Sequence, residues 1–281
     1  MTMRTLLAVA LLVFSATLAE ACSQAQRPKF KITELALCDS FEPAKKPDMA
    51  YCGPIDSKFL DYVKANLRSD TKQFVITSVG GQGEDAIAAS ELLSKAGVTL
   101  RFRDVCLSAC AHFLFLPARH AIVEPNTIVA FHHTSSSLQS LSRALPPQAV
   151  AKWSAHMDEL AQQERKFFDQ SNVDANWLFE PTRRMSMKCI HAQVLEGDTG
   201  LPIFGTISSY EYWIPPLAMV QGSRTLEGYW PITGDKEHDD KEVLALATRK
   251  ELLPLKLSVG YGGSATFHPD RYQQLTMLPL C

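Results

Sequence analysis

The chain has 281 residues, of which 46% are hydrophobic and 21% charged, and its formal net charge is −2. This hydrophobic content suffices for a sizeable core and excludes an intrinsically disordered chain, and the length suits one large domain with extensions. Because no block of lysine and arginine stands out, we expect neither a nucleic-acid-binding surface nor a polybasic membrane patch.

The amino terminus has the three parts of a secretory signal peptide. Arg4 precedes an apolar run that begins at Leu6 and continues to Leu18, and the small residues of Ala19-Glu20-Ala21 follow. The run of about 13 residues is shorter than the about 20 that span a bilayer. We therefore predict that residues 1–21 are removed on export, the alternative being an anchor helix that stays in place. No later segment is long and apolar enough to span a membrane.

The cysteine count fits an oxidising compartment. The chain has 7 cysteines, and setting aside Cys22, which directly follows the predicted cleavage site, leaves the even number six. We favour a soluble periplasmic or secreted product, and the alternative is a lipoprotein that meets the membrane through Cys22. Cys38–Cys52 and Cys189–Cys281 are the expected disulfides. Cys106 and Cys110 either form another or are two small buried thiols.

Helix and strand patterns alternate after a lead-in segment, residues 22–56. In chain order we predict a helix capped by Asp56 or Ser57, a strand Phe74–Thr77, a helix Glu84–Lys95 ended by Gly97, a strand Val98–Val105, a helix Ala109–Leu116 ended by Pro117, and strands Ala121–Val123 and Thr127–Phe131. This alternation predicts an α/β fold with right-handed crossovers and a mainly parallel sheet.

The second half of the chain has fewer signals. The Ser-rich stretch Thr134–Pro147 predicts a loop, and Gln148–Gln170 predicts a long amphipathic helix. Tyr212–Ile214 predicts a strand that leads into a short helix at Pro215–Gln221. Residues 223–281 mix loop and strand patterns, so we expect them to form a C-terminal extension of unassigned role.

Two sharp turns follow predicted parallel strands, Gly80-Gly81 and Ser108, and ligands collect outside the carboxyl ends of such strands. Ser108 opens a helix, where backbone N–H groups stabilise negative charge. The Ala109 amide could therefore be one oxyanion donor, and the amide of Gly80 or Gly81 the other. His132 ends a neighbouring strand and could be the base that a serine nucleophile requires.

These residues also have structural explanations. Ser108 could be a plain helix cap. His132 could be a structural residue, with His133 facing the crevice instead, because only one of two successive strand residues faces it. His112 belongs to an apolar helix, so we interpret it as a core or interface residue. We expect no metal or other cofactor, because the chain has neither a helical His-x-x-x-His pair nor close double cysteine pairs.

Three segments in order resemble the proteolytic subunit of Clp protease and its exported relatives: Val79-Gly80-Gly81, Cys106-Leu107-Ser108-Ala109-Cys110 and Pro125–His132. In that family the Gly-Gly turn forms part of the oxyanion hole, the serine starts a buried helix, and the histidine follows a Pro-Asn strand segment. The resemblance covers residues 57–222. It implies a ClpP/crotonase-like fold, a repeated β-β-α core with N- and C-terminal extensions. The Cys-x-Ser-Ala-Cys form is closest to the exported members.

The chain departs from the family pattern at two points. The interval from Ser108 to His132 is one residue shorter. The family's third catalytic residue, an aspartate, falls on Tyr210 or Glu211. Glu211 could orient His132, and Asp174 is the second candidate.

The resemblance implies an exported serine hydrolase that acts on peptide or small acyl substrates, without an ATP-driven partner, and that self-associates by analogy. A different class of function is a catalytically inactive Clp-like fold that serves as a binding or scaffold module. Acyl-CoA chemistry on the same fold is a third, but it needs a cytoplasmic thioester, so the predicted export argues against it.

Overall fold

The computed structural model describes residues 38, 41–42, 46, 48–142, 147–184, 187–194, 202–208, 212–221, 225–228, 230–233, 235–249 and 257–259. These residues belong to one compact unit, Glu34–Leu280. The predicted signal peptide and Cys22 lie outside the described residues. Within the described part, no helix is both long and apolar enough to cross a bilayer.

Strands and helices alternate through the first half of the chain, as the sequence predicts. The elements are β1 (Met49–Cys52), α1 (Ser57–Asn66), β2 (Gln73–Ser78), α2 (Gly83–Ala96), β3 (Thr99–Leu107), a π helix (Cys110–Phe115), β4 (His120–Val123), β5 (Ile128–Ala130) and α3 (Ser135–Ser142). The second half comprises α4 (Pro147–Gln170), a 3₁₀ helix (Ala175–Leu178), α5 (Glu180–Arg184), β6 (Met187–Val194), β7 (Pro202–Ser208), β8 (Tyr212–Ile214), α6 (Leu217–Gln221), β9 (Thr225–Gly228), α7 (Lys236–Arg249) and β10 (Leu257–Val259).

Six of the described strands form one sheet in the order β1-β2-β3-β4-β9, with β5 beside the second half of β3. The strand pairs in this sheet are parallel. The predicted α/β class and mainly parallel sheet are therefore confirmed. Strand β9 lies beyond residue 222, where we expected the domain to end, so the sheet continues into the segment for which the sequence suggested no role.

Local signals set the helix ends. The carboxylate of Asp56 accepts a hydrogen bond from the Phe59 amide at 3.1 Å and caps α1. Helix α2 ends at Gly97, whose left-handed backbone (φ 67°) lets its N–H reach the carbonyls of Leu93 and Ser94. Both ends agree with the sequence prediction.

Both faces of β3 and β5 are covered. Because side chains alternate along a strand, Val105 and Leu107 point to one face, where they pack with Val243 and Leu246 of α7. Cys106 points to the other face and belongs to the larger core cluster. The end of β3 is therefore fixed on two sides, and Ser108, which follows it, is attached to a rigid strand end.

The Ser-rich segment is not the predicted loop, because Ser135–Ser142 form α3. The carboxylate of Glu164 on α4 accepts hydrogen bonds from the Ser135 and Ser136 amides at 2.9 and 2.7 Å. It also accepts one from the Ser136 hydroxyl at 2.7 Å. Glu164 is only 4% exposed, and burial raises its pKa. A buried carboxylate distant in sequence thus caps a helix whose own residues favour a loop.

The lead-in segment is tied to the sheet by the predicted Cys38–Cys52 disulfide, whose Cα atoms are 5.5 Å apart. The Arg103 guanidinium lies 5.5 Å from the centroid of the Phe41 ring and pairs with Glu124 at 2.7 Å. Cys281 and the side chain of Cys189 lie outside the described residues, so that pairing stays a prediction.

Candidate active site

Three parallel strands end at the same edge of the sheet. The last paired residues are Ser78 of β2 with Cys106 of β3, and Leu107 of β3 with Ala130 of β5. The Ser108 amide extends the second pairing by donating to the Ala130 carbonyl at 3.1 Å. The turns after these strands therefore converge, as the sequence predicts.

The structure brings the predicted serine and histidine together. The hydroxyl oxygen of Ser108 lies 2.5 Å from Nε2 of His132, within hydrogen-bond distance. For Nε2 to accept the hydroxyl proton, the neutral ring must carry its own proton on Nδ1. This arrangement can transfer a proton from the serine when its oxygen attacks an electrophile.

His133 points elsewhere, so the alternative in which it faces the crevice is not observed. Its Nδ1 atom lies 2.8 Å from the hydroxyl oxygen of Thr182 on α5. Burial, together with the charges of His112 and His133, lowers the pKa of His132 to about 3, and burial lowers the pKa of His133 to about 4. Both rings are neutral near pH 7, which is the form that a general base requires.

Ser108 adopts a backbone conformation that is unusual for a residue with a side chain. Its φ is 57°, in the left-handed region, at the junction of β3 and the helix that follows. The predicted helix at this position is a π helix, in which the Leu116 amide donates to the Ala111 carbonyl, five residues back, at 3.1 Å. Every residue of Cys110–Phe115 is buried, so no one-sided pattern distinguishes the two helix types. π helices are frequent at functional sites.

A disulfide closes the turn around the serine. Cys106 at the end of β3 and Cys110 at the start of the π helix are bonded, with Cα atoms 5.2 Å apart. The sequence left open whether these were thiols or a disulfide. Because both cysteines are fully buried, the bond fixes the two ends of a three-residue turn inside the core.

The Gly-Gly turn packs directly on the serine. Gly80 has a φ of 92°, and a Cβ on it would lie 2.5 Å from the Ser108 Cβ and 2.9 Å from the Ala109 nitrogen. The Gly80 amide donates to the hydroxyl of Ser78 at 3.1 Å, so that bond must break before this amide can bind an oxyanion. Gly81 and Ala109 stay the better predicted donors, Ala109 because first-turn amides have no acceptor within their helix.

Neither of the two predicted orienting acids is found beside His132 in the described part of the chain. Asp174 is exposed and caps the 3₁₀ helix, accepting from the Asn176 amide at 2.9 Å. It lines a cleft of about 1150 Å³ together with His120 and Thr225, the first residues of β4 and β9, at the edge opposite Ser108. Glu211 lies outside the described residues. Within the described part of the chain, no carboxylate forms a hydrogen bond with the ring of His132.

The nearest aromatic neighbour of the base was not predicted. The rings of Tyr212 and His132 have centroids 5.1 Å apart. Phe131 and Trp213 exchange backbone hydrogen bonds of 2.8 and 2.7 Å, which places β8 beside the end of β5. The strand signal at Tyr212–Ile214 was readable from sequence, but its pairing partner was not.

We expect acid to weaken the fold through His112, which is buried and whose pKa burial lowers to about 4. An unfolded histidine titrates near 6.5, so between about pH 6.5 and pH 4 unfolding takes up a proton. The contribution of His112 is therefore complete above pH 6.5. As the pH drops through this window it lowers the free energy of unfolding by about 1.4 kcal/mol per pH unit, in addition to the decreases from His132 and His133, whose pKa values are also lowered. Urea unfolding at pH 7, 6 and 5 measures the slope.

The control is a pair of variants. His112→Leu should reduce the slope by about 1.4 kcal/mol per pH unit, the share of one histidine, whereas His120→Leu, at an exposed position, should leave it unchanged. Equal slopes in the two variants would contradict the assignment to His112.

Within the described part, no group of three or more His, Cys, Asp or Glu side chains is placed to hold a metal ion. No protein-family model and no curated protein matches the chain. Among solved structures, the chain is similar to a ClpP1 mutant from Listeria monocytogenes. The TM-score is 0.37 and the sequence identity 14%, over 48% of this chain and 78% of that one. A likeness at this level carries no argument about activity, substrate or export.

Proposed function

We propose that the protein is a peptidase-like serine hydrolase with Ser108 as nucleophile and His132 as general base. The observation that carries the proposal is the 2.5 Å contact between the Ser108 hydroxyl and His132 Nε2. The serine lies at a sharp turn between a buried strand and a helix, and such a turn presents a hydroxyl beside unpaired helical amides. A plain helix cap does not require an imidazole at this position.

The proposed reaction has two stages, acylation and deacylation. The Ser108 oxygen attacks a carbonyl carbon while its proton passes to His132 Nε2, and the carbonyl oxygen becomes an oxyanion. The amides of Ala109 and Gly81 stabilise that charge, joined by Gly80 if Ser78 releases its amide. His132 then protonates the leaving amine or alcohol, which leaves an acyl-serine. His132 then deprotonates a water molecule that attacks the acyl carbon, and it returns the proton to the Ser108 oxygen as the ester bond breaks and the acid is released.

An acidic partner for His132 belongs to the same proposal. An imidazole with a pKa of about 3 is a weak base, and a carboxylate at Nδ1 would raise that pKa towards the working pH. Glu211 directly precedes Tyr212, whose ring contacts His132. We therefore retain Glu211 as the orienting acid.

Export and substrate are proposed on chemical grounds. The disulfides Cys38–Cys52 and Cys106–Cys110 favour an oxidising compartment, in agreement with the signal-like residues 1–21. A periplasmic or secreted hydrolase without an ATP-driven partner would act on peptides that are short or already unfolded, or on small acyl compounds. The proposal also includes self-association of the protein. A lipid anchor on Cys22 is the alternative to a soluble product.

Covalent labelling tests the proposal. The folded protein is incubated with a fluorophosphonate, which phosphonylates activated serines, and the adduct is located by peptide mass spectrometry. We expect a single adduct on Ser108 that protein unfolded in urea does not form. A folded protein that resists the probe would refute the hydrolase and favour the binding or scaffold module. One observation favours the binding or scaffold module: in the part of the chain that the structure describes, no carboxylate forms a hydrogen bond with the ring of His132.

A further inference from the structure

His112 has a contact that a core residue does not need. Its backbone amide donates to the Ser108 carbonyl at 3.0 Å, as expected inside a helix. Its side-chain Nδ1 atom lies 3.1 Å from the same oxygen. A carbonyl oxygen only accepts hydrogen bonds, so Nδ1 carries the proton of the neutral ring. One residue therefore holds the Ser108 carbonyl with two donors.

This tautomer leaves the opposite ring nitrogen unsatisfied. Among the described residues, Nε2 of His112 is the buried side-chain nitrogen or oxygen atom that has no hydrogen-bond partner. The side chain is only 1% exposed, and a buried acceptor without a donor destabilises a fold. Leucine would fill the site without that cost. An imidazole that lowers stability at this position indicates a role other than packing.

The same ring also contacts the residue before the base. His112 and Phe131 meet edge to face, with centroids 5.1 Å apart and planes at 89°. Phe131 is held by its backbone bonds to Trp213 and directly precedes His132. His112 thus links the backbone of the nucleophile with the strand end that carries the base.

We propose that His112 is a positioning residue, which holds the Ser108 carbonyl through Nδ1–H and the Phe131 ring through its edge so that the hydroxyl stays aligned with His132. This inference rests on the proposed hydrolase function. It concerns a residue that touches neither substrate nor the reacting atoms. Its effect is therefore on the rate of the chemical step and not on binding of the probe.

Two substitutions of similar shape separate the donor from the packing. Asparagine places an N–H close to the position of Nδ1, whereas leucine has the same branching and no donor. We expect His112→Leu to lower the first-order inactivation constant for fluorophosphonate by about 10- to 100-fold with little change in the probe's binding constant. His112→Asn should stay within about 3-fold of the wild type, and the thermal midpoint of the leucine variant should be equal or higher. His120→Leu, at an exposed site, controls for loss of an imidazole.

The inference is overturned if His112→Leu is inactivated at the wild-type rate, or if the asparagine and leucine variants lose rate equally. If the wild type is not labelled at all, the hydrolase proposal fails. Positioning is then decided by long-range ¹H–¹⁵N spectra of the His132 ring. Shifts that change in the leucine variant and not in the asparagine variant support positioning, and unchanged shifts refute it.

Discussion

Replacement of His132 by glutamine is expected to lower the rate constant for labelling of Ser108 by about 10³- to 10⁴-fold. Glutamine can place a polar atom close to Nε2, 2.5 Å from the hydroxyl, but an amide does not take up a proton. The oxyanion donors are unchanged, so some reactivity above that of free serine should persist. Intact-mass time courses at several probe concentrations measure the rate constant.

The adjacent histidine provides the matched control. His133 is half-buried like His132, and its pKa is also lowered, but it bonds Thr182 on α5. His133→Asn can keep that hydrogen bond and should label within a few-fold of the wild type. Equal losses in the two variants would mean that local packing, and not a base, controls reactivity.

The pH dependence gives the same prediction a second readout. Because burial lowers the pKa of His132 to about 3, the base stays neutral as the pH falls from 7 towards 4. With this pKa the labelling rate should hold in this range while near-UV circular dichroism shows folded protein, and it should fall only as the pH nears the lowered pKa. An inflection near pH 6.5 would show instead that an acidic partner such as Glu211, or solvent, raises the pKa of His132.

The second large effect is expected from Gly80→Ala. At a φ of 92° an added Cβ would lie 2.5 Å from the Ser108 Cβ and 2.6 Å from the Leu107 carbonyl oxygen. Neither contact can be relieved by rotation of a flexible side chain, so the turn or the serine must move. We expect a loss of about 4 kcal/mol in the free energy of unfolding. In the fraction of the variant that folds, labelling of Ser108 should be at least 10²-fold slower.

Gly97 separates the clash from the backbone strain. It also has a positive φ, 67°, but a Cβ there would meet nothing within 4 Å. Gly97→Ala should thus cost only about 1–2 kcal/mol and leave labelling of Ser108 unchanged. Chemical denaturation of both variants, with labelling in parallel, compares them. A Gly80→Ala protein as stable and as reactive as Gly97→Ala would show that the Gly80 turn does not pack against the Ser108 turn.

The sequence was sufficient for those parts of the candidate site that follow from the positions of the strand ends. Gly80, Ser108 and His132 each follow a strand by one or two residues, and parallel strands end at one edge, so their convergence is a topological consequence. The sequence favoured His132 as the base but left His133 open as an alternative, because the strand register there depends on how β8 pairs with Phe131. The role of His112 was also missed, since an apolar run around a histidine predicts burial and not the carbonyl that its ring meets.

Local physics acting within a few residues determined the α/β class, the caps at Asp56 and Gly97 and the apolar cores of the strands, so the sequence alone was sufficient for these. Contacts between distant segments decided the rest. The Ser-rich segment is a helix because Glu164, far along the chain, caps it. Strand β9 enters the sheet because β4 pairs with β3 on one side only, which leaves its other side open to β9 along the whole strand, His120–Val123. Such contacts depend on which distant segments meet in the folded chain, and the hydrophobic periodicity within one segment does not indicate its partners.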